Sequence, residues 1–185
     1  SATYERQFPN TLRITITERK VTAIVALSSG PVAWYLGENN VWLEADQLNV
    51  PEGKTTATVA LEKATSEGEL LITDVPATVS PVAGTTATDA EIQAVMQYQS
   101  TFSSELTSQI VSYSASSVDA ISVTLTNGVQ VALGSPTQIA DKEKVILAML
   151  KQFPGELTYL NVRTPASPTY RRVSTGNVQS GSGVS

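Results

Sequence analysis

The stretch RQFPNTLRITITERK, residues 6–20, predicts two strands joined by a turn. Pro9 and Asn10 are turn-forming residues that separate two runs of extended character. In the second run, Leu12, Ile14 and Ile16 alternate with polar residues, which is the period of a strand with one buried face. Such alternation is typical of many hairpins, so the pattern alone indicates a structure and not a function.

Composition excludes several classes of protein. The 185 residues, 41% of them hydrophobic, suffice for one substantial core or for a domain plus a fragment. The chain has no histidine and no cysteine, which removes the usual general base, the usual metal ligands and the thiol nucleophile together. A net charge of −5 argues against nucleic acid as a partner, because phosphate contacts need clustered Lys and Arg.

The remaining candidates for chemistry are weak. The chain contains neither of the two common Gly-rich phosphate-loop spacings, and its carboxylates are spread out along the sequence. We therefore expect no catalytic, metal or cofactor site, and we predict that the protein is not an enzyme. The sequence also lacks the run of about 18 apolar residues that a membrane-spanning helix needs.

The first half of the chain predicts mostly strands, and the second half adds two helices. An apolar stripe with a capping box at Thr88-Asp89-Ala90-Glu91 predicts a helix of about 20 residues. Asn127-Gly128 predicts a hairpin with a type I′ turn. Short strands are predicted at 21–27, 32–36, 41–43, 58–61, 70–73, 157–163 and 169–173, and a second helix at 139–153.

These elements predict an α+β fold, with a mainly antiparallel, twisted sheet and two helices packed on it. A strand-rich protein without chemistry can bind through an exposed sheet edge, where a partner adds backbone hydrogen bonds. The last strand is the candidate, because two prolines before it prevent further pairing and its side chains are of types enriched in interfaces. The candidate partner-binding residues are Arg163, Thr169, Tyr170, Arg171, Arg172 and Val173.

Several motifs in order resemble the FtsQ/DivIB family of bacterial cell-division proteins. Residues 6–20 are similar to the last two strands of that family's POTRA domain, where an R-x-x-P-x-x-L-x-I-x-x-x-E-R run leads into a β-domain. Residues 70–73 with Gly84 resemble its L-P-x-I-T-G and P-G segment, and residues 125–134 resemble its L-x-D/N-G-x-x-V-x-L-G pattern. The remaining matches are Lys142 on a helix, Asn161-Val162-Arg163 where the family has D-V-R, and Arg171.

The chain departs from the family pattern at three positions. Val21 stands where the family usually has proline, Asp74 stands near the family's glycine, and Asn161 replaces the usual aspartate. The resemblance implies three segments: the end of a truncated POTRA domain at 1–20, a β-domain at 21–173 and a flexible Gly/Ser-rich tail at 174–185. It also implies that a cytoplasmic tail, one membrane helix and most of the POTRA domain lie upstream.

The same resemblance implies a function. The chain would be the extracytoplasmic part of a membrane-anchored divisome scaffold that helps to regulate septal peptidoglycan synthesis. Its final strand would pair with a coiled-coil partner of the FtsB/DivIC type, which works with FtsL-type proteins at the division septum. The alternative is an envelope assembly or chaperone module of the Omp85 type, in which POTRA strands receive unfolded substrates.

Overall fold

The computed structural model describes residues 2–7, 11–16 and 19–173. At the N-terminus, β1 (Ala2–Gln7) pairs antiparallel with β2 (Thr11–Ile16), so the predicted hairpin is confirmed. The two strands form a sheet of their own. The turn predicted at Pro9-Asn10 and the flexible tail predicted at 174–185 lie outside the described residues.

Residues 19–173 contain nine strands and four α-helices, which confirms the α+β class but gives two helices more than the sequence predicted. In chain order they are β3 (Val21–Leu27), β4 (Val32–Gly37), β5 (Val41–Gln47), α1 (Thr56–Glu67), β6 (Leu70–Val75), α2 (Ala90–Thr101), α3 (Ser104–Thr107), β7 (Ile110–Ala115), β8 (Ile121–Leu125), β9 (Gln130–Ala132), α4 (Ile139–Gln152), β10 (Leu157–Asn161) and β11 (Thr169–Arg172).

The nine strands form one sheet in the order β11-β10-β9-β8-β7-β6-β3-β4-β5. The sheet is mixed, so the prediction of a mainly antiparallel sheet was wrong. Neighbouring strands are parallel at β3–β6, β6–β7 and β9–β10. The last two of these pairs are joined through α2 and α4, because a parallel pair needs a crossover and a helix is the usual one.

Helix α1 occupies the region where residues 58–61 were predicted as a strand, and this prediction was wrong. The Thr55 hydroxyl caps the helix by accepting a hydrogen bond from the Thr58 amide at 3.2 Å. Gly68 ends it in the left-handed conformation, with a φ of 73°. Ala60 and Ala64 lie one turn apart and are both buried, so the helix packs closely on the sheet.

The long helix predicted after Thr88 is two helices. Helix α2 ends at Thr101, and Phe102 is extended, with a ψ of 144°, before α3 begins at Ser104. The predicted capping box does not form, because the N-cap is Asp89 and it makes no side-chain capping bond. Phe102 is buried in the break, so its packing outweighs continuation of the helix.

The predicted hairpin is confirmed as β8 and β9, but its turn is not of type I′. A type I′ turn needs positive φ at both central residues, whereas of this pair only Gly128 has one, at 82°. The Gly128 amide donates to the Leu125 carbonyl, and the Leu125 amide donates to the Val129 carbonyl. This pattern is that of a type I turn followed by a left-handed glycine, the common three-residue hairpin loop.

The two faces of the sheet differ in cover. Helices α2 and α4 pack on one face, where Tyr98 and Ile146 join side chains from strands β3 and β6 to β10 in the larger core. Helix α1 packs on the other face in a smaller core that includes Ile24 and Leu71. This second cover stops at β6, so the face formed by β7 to β10 has no helix of the described chain over it.

Candidate functional site

Strand β11 is one of the two edges of the sheet. It pairs antiparallel with β10, with Tyr170 opposite Leu160 and Thr169 opposite Asn161. The other edge, β5, is partly covered, because the Trp42 amide donates to the Thr85 carbonyl at 2.9 Å and the Trp42 carbonyl accepts from Gly84. All four residues of β11 are exposed, so the more open edge is the one that the sequence singled out.

The backbone of β11 presents alternate residues to solvent. The Val173 amide donates to the Glu156 carbonyl at 2.8 Å, so the Val173 backbone faces β10. Along a strand in an antiparallel pair, backbone N–H and C=O groups of successive residues point to opposite sides. The groups of Arg171 therefore face β10, and those of Tyr170 and Arg172 point away from the sheet.

On the face that carries α4, aromatic and charged side chains form a cluster. The ring of Tyr170 stacks on Phe153, with centroids 5.1 Å apart and planes 28° apart. The Arg172 guanidinium lies 4.9 Å from the Phe153 ring centroid and 3.4 Å from the Glu156 carboxylate. Tyr170 remains 43% exposed, so this cluster has an apolar surface that a partner side chain can cover.

The opposite face of β11 carries Thr169 and Arg171. The Arg171 guanidinium lies 5.4 Å from the centroid of the Tyr159 ring on β10. Val173, directly after the strand, is 57% exposed. The edge therefore offers one arginine on each face, together with Tyr170 and Val173 as apolar contacts.

Arg163 lies in the loop after β10, two residues past the pairing of Asn161 with Thr169. The Arg163 amide donates a hydrogen bond to the Asn161 Oδ1 at 3.1 Å. A Cβ at Gly134 would lie 2.9 Å from the Arg163 Cγ, and Gly134 also has a φ of 70°. Both space and conformation thus favour glycine at 134, and the Arg163 side chain packs closely on the turn that follows β9.

Lys142 is a buried residue whose role the sequence did not reveal. It is fully buried on α4, and its Nζ donates to the Ser135 carbonyl at 2.6 Å and to the Tyr98 hydroxyl at 3.0 Å. The Tyr98 hydroxyl donates in turn to the Ser135 carbonyl at 2.7 Å. Burial lowers the pKa of Lys142 below its ordinary value, because no carboxylate compensates for the loss of water.

Phe153 and Tyr159 also belong to the site, although the sequence analysis did not select them. Phe153 follows the last turn of α4, and Tyr159 lies in the middle of β10. The signal available was that each is an aromatic residue in the segment that precedes the predicted edge strand. Their contact with β11 depends on the antiparallel register of β10 and β11, which the sequence does not show.

Ligand chemistry of other kinds finds little support in this part of the molecule. Among the described residues, no three His, Cys, Asp or Glu side chains are grouped closely enough to hold a metal ion. No helix within residues 2–7, 11–16 and 19–173 is long and apolar enough to cross a membrane. The exposed edge of β11 is of the kind to which a polypeptide can add a strand.

Comparison with protein families matches residues 56–163 to the model described as "Cell division protein FtsQ/DivIB, C-terminal". The match covers more than half of the chain. The chain belongs to the FtsQ/DivIB family. It is therefore a cell-division protein, from a family of division proteins that are not enzymes. A search of curated proteins finds no match.

The matched region places the FtsQ/DivIB features on the fold. It begins at the first turn of α1, includes the parallel pairs β6–β7 and β9–β10 but not β3, and ends at Arg163 just after β10. Strand β11 begins six residues later, so the whole strand and Val173 lie beyond the matched region. Of the candidate residues, Arg163 alone lies within it.

Proposed function

We propose that this chain is the extracytoplasmic part of a membrane-anchored divisome scaffold. It binds a coiled-coil division partner of the FtsB/DivIC type, which works with an FtsL-type protein, and so helps to regulate septal peptidoglycan synthesis. The partner adds a β-strand to β11. The candidate contact residues are those predicted from the sequence, namely Arg163, Thr169, Tyr170, Arg171, Arg172 and Val173.

The observation that carries this proposal is the open edge of β11. The outward-facing groups of Tyr170 and Arg172 supply two donors and two acceptors, which is the hydrogen-bonding pattern that an added antiparallel strand matches. The side chains then set specificity, because alternate residues of an added strand lie over opposite faces. One face would contact the Tyr170–Phe153 stack, and the other would contact Arg171.

The domain organisation and the location are part of the same proposal. Residues 1–20 would be the end of a POTRA domain, 21–173 a β-domain, and 174–185 a flexible tail. In support, β1 and β2 form a sheet of their own, and the nine-stranded sheet begins at Val21. A single upstream helix would anchor the protein in the cell membrane, with this region outside the cytoplasm at the division septum.

The Omp85-type alternative has less support. It rested on the POTRA-like hairpin alone, whereas the family match covers the region from α1 to Arg163 and names a division family. The open edge β11 is also far from the hairpin in sequence, near the other end of the chain. A chaperone function would therefore leave β11 unexplained.

Replacing Tyr170 with proline tests the added strand. Proline removes the outward N–H of Tyr170 without removing a bond to β10. Tyr170→Ala is the matched control, since it loses the same ring but keeps the N–H. We expect Tyr170→Pro to bind the extracytoplasmic fragment of the FtsB/DivIC-type partner about tenfold more weakly than Tyr170→Ala, measured by calorimetry.

Equal affinities for the proline and alanine variants, with circular dichroism spectra and thermal midpoints like those of the unmodified chain, would contradict strand addition. If both variants bound as tightly as the unmodified chain, β11 would not be the binding site at all.

A further inference from the structure

The face of β7 to β10 that has no helix of the described chain over it carries two straight rows of side chains, which are mostly uncharged and polar apart from the buried Ala132 and the charged Arg171. The residues of the rows alternate with Tyr113, Val123 and Val131, which lie in the larger core, so the rows face the other way. Cross-strand pairing sets their order. The first row is Ser112, Thr124, Gln130, Tyr159 and Arg171, and the second is Thr73, Ser114, Ser122, Ala132, Asn161 and Thr169.

The chemistry of these rows is unusual for an exposed sheet face. Only Arg171, at the far end, is charged, whereas about a quarter to a third of a typical protein surface is Lys, Arg, Glu or Asp. The hydroxyl groups both donate and accept hydrogen bonds, and Tyr159 adds an aromatic ring. A protein partner would need an apolar centre, which the rows lack.

Asp74 lies at the inner end of the second row and is held in a specific orientation. Its Oδ2 accepts hydrogen bonds from the Ser114 hydroxyl at 2.6 Å and from the Thr73 hydroxyl at 3.1 Å. Its φ is 57°, the left-handed region that glycine favours. Asp74 thus holds an exposed carboxylate in a backbone conformation that costs a residue other than glycine some strain, which is a pointer to function.

A cavity of about 370 Å³ continues from Asp74 to the first turn of helix α1. It lies at the carboxyl ends of the parallel strands β3 and β6, beside the first turn of α1. In open sheets with parallel strands, such a crevice is a common position for a ligand. Its polar lining consists mainly of Ser28, Thr55, Thr56, Thr73 and Asp74.

From the neutral rows, the oriented carboxylate and the adjoining cavity together, we propose that this face binds an uncharged glycan chain. Hydroxyl groups along the rows would exchange hydrogen bonds with sugar hydroxyls, and Asp74 would accept bonds from a sugar residue at the mouth of the cavity. The scarcity of fixed charge fits a neutral ligand and disfavours phosphate or a polyanion. The rows end at Thr169 and Arg171, whose side chains also belong to the proposed partner site, but the outward backbone groups of Tyr170 and Arg172 are not part of this face.

The full chain should be titrated with the uncharged hexasaccharide of β-1,4-linked N-acetylglucosamine, and amide NMR shifts should be followed. We expect millimolar binding, with shifts concentrated in β7 to β10. Asp74→Gly keeps the backbone conformation and loses the carboxylate, and it should weaken binding about tenfold. Thr124→Glu, which puts a charge in the first row, should weaken it similarly. Thr101→Glu, at an exposed position on α2, is the matched control and should bind normally.

Three results would overturn the proposal: no binding by the unmodified chain, equal binding by all three variants, or tighter binding of heparin as a polyanionic probe. Self-association through this face, seen as a mass that rises with concentration and is abolished by Thr124→Glu without glycan binding, would overturn it too. Tyr170→Pro should bind the hexasaccharide normally, so the failure of either proposal leaves the other intact.

Discussion

Replacing Lys142 with alanine is expected to lower the free energy of unfolding by about 2–4 kcal/mol. The change leaves a cavity where the buried stem of Lys142 lies, and it removes the donor that holds the Ser135 carbonyl at 2.6 Å. The Ser135 carbonyl would keep the hydrogen bond from the Tyr98 hydroxyl at 2.7 Å, and that hydroxyl would lose its own donor, the Lys142 ammonium group. Urea unfolding at pH 7, followed by circular dichroism, measures this loss.

Methionine at 142 is the matched control, because it keeps most of the volume and removes the charge. Burial lowers the pKa of Lys142, so at neutral pH the folded state bears the cost of a desolvated ammonium group. Lys142→Met should therefore be close to the unmodified chain in stability, and well above Lys142→Ala. Equal losses in the two variants would show that the hydrogen bonds outweigh the desolvation.

The lowered pKa of Lys142 also sets the direction in which its contribution to stability changes with pH. Between the lowered pKa of folded Lys142 and the ordinary value of 10.5, the unfolded chain binds a proton that the folded chain does not. The stability of the unmodified chain relative to Lys142→Met should therefore rise with pH over this window.

Above pH 10, the protein as a whole is expected to lose stability steeply. Burial raises the pKa of both Tyr98 and Tyr113 well above the ordinary value of 10.0. Over this range the folded chain keeps protons that the unfolded chain loses, so each tyrosine lowers the free energy of unfolding by up to about 1.4 kcal/mol per pH unit. The contributions of the two tyrosines to the pH dependence of the free energy of unfolding are opposite in sign to that of Lys142 and are together larger.

Tyr113→Phe isolates one of these contributions. It removes the hydroxyl that donates to Gln99 at 3.1 Å and leaves the ring in the core. Urea unfolding from pH 9 to pH 11.5 should show a shallower decline for Tyr113→Phe than for the unmodified chain. An identical slope for the two proteins would mean that Tyr113 does not titrate with a raised pKa in the folded state.

Much of the fold could be predicted where local signals agree. The helix predicted at 139–153 and the final strand at 169–173 match α4 and β11 to within one residue at each end. The helix has an apolar stripe that ends before Pro154-Gly155, and the strand follows a turn that contains Pro165 and Pro168. The hairpin of β8 and β9 was predicted for the same reason, because Asn127-Gly128 separates two alternating runs.

Other features depend on contacts that the sequence does not reveal. Thr, Val and Ala in residues 56–61 suit a strand as well as a helix, and the Thr55 cap and Gly68 decide the outcome. Strand β7 was missed, because Ser112 and Ser114 on its open face make it resemble a loop. Parallel pairing joins residues that are distant in the chain, so local patterns do not encode it.

In the candidate site, too, some features could be predicted from the sequence and others could not. An edge strand with Tyr170, Arg171 and Arg172 could be predicted, because prolines and interface-type residues are local signals. The stack of Phe153 on Tyr170 could not, since it needs the end of α4 to lie beside β11. The burial of Lys142 was equally hidden, because a lysine near a helix start ordinarily lies in solvent.

Hydrogen exchange at β11 tests the central claim most directly. The amides of Tyr170 and Arg172 should exchange freely in the isolated chain, since both point away from the sheet. On adding the extracytoplasmic fragment of the FtsB/DivIC-type partner, these two amides should slow by more than tenfold, while the inward amide of Arg171 should change less. Partner binding that protects other regions and leaves Tyr170 and Arg172 unchanged would contradict strand addition at this edge.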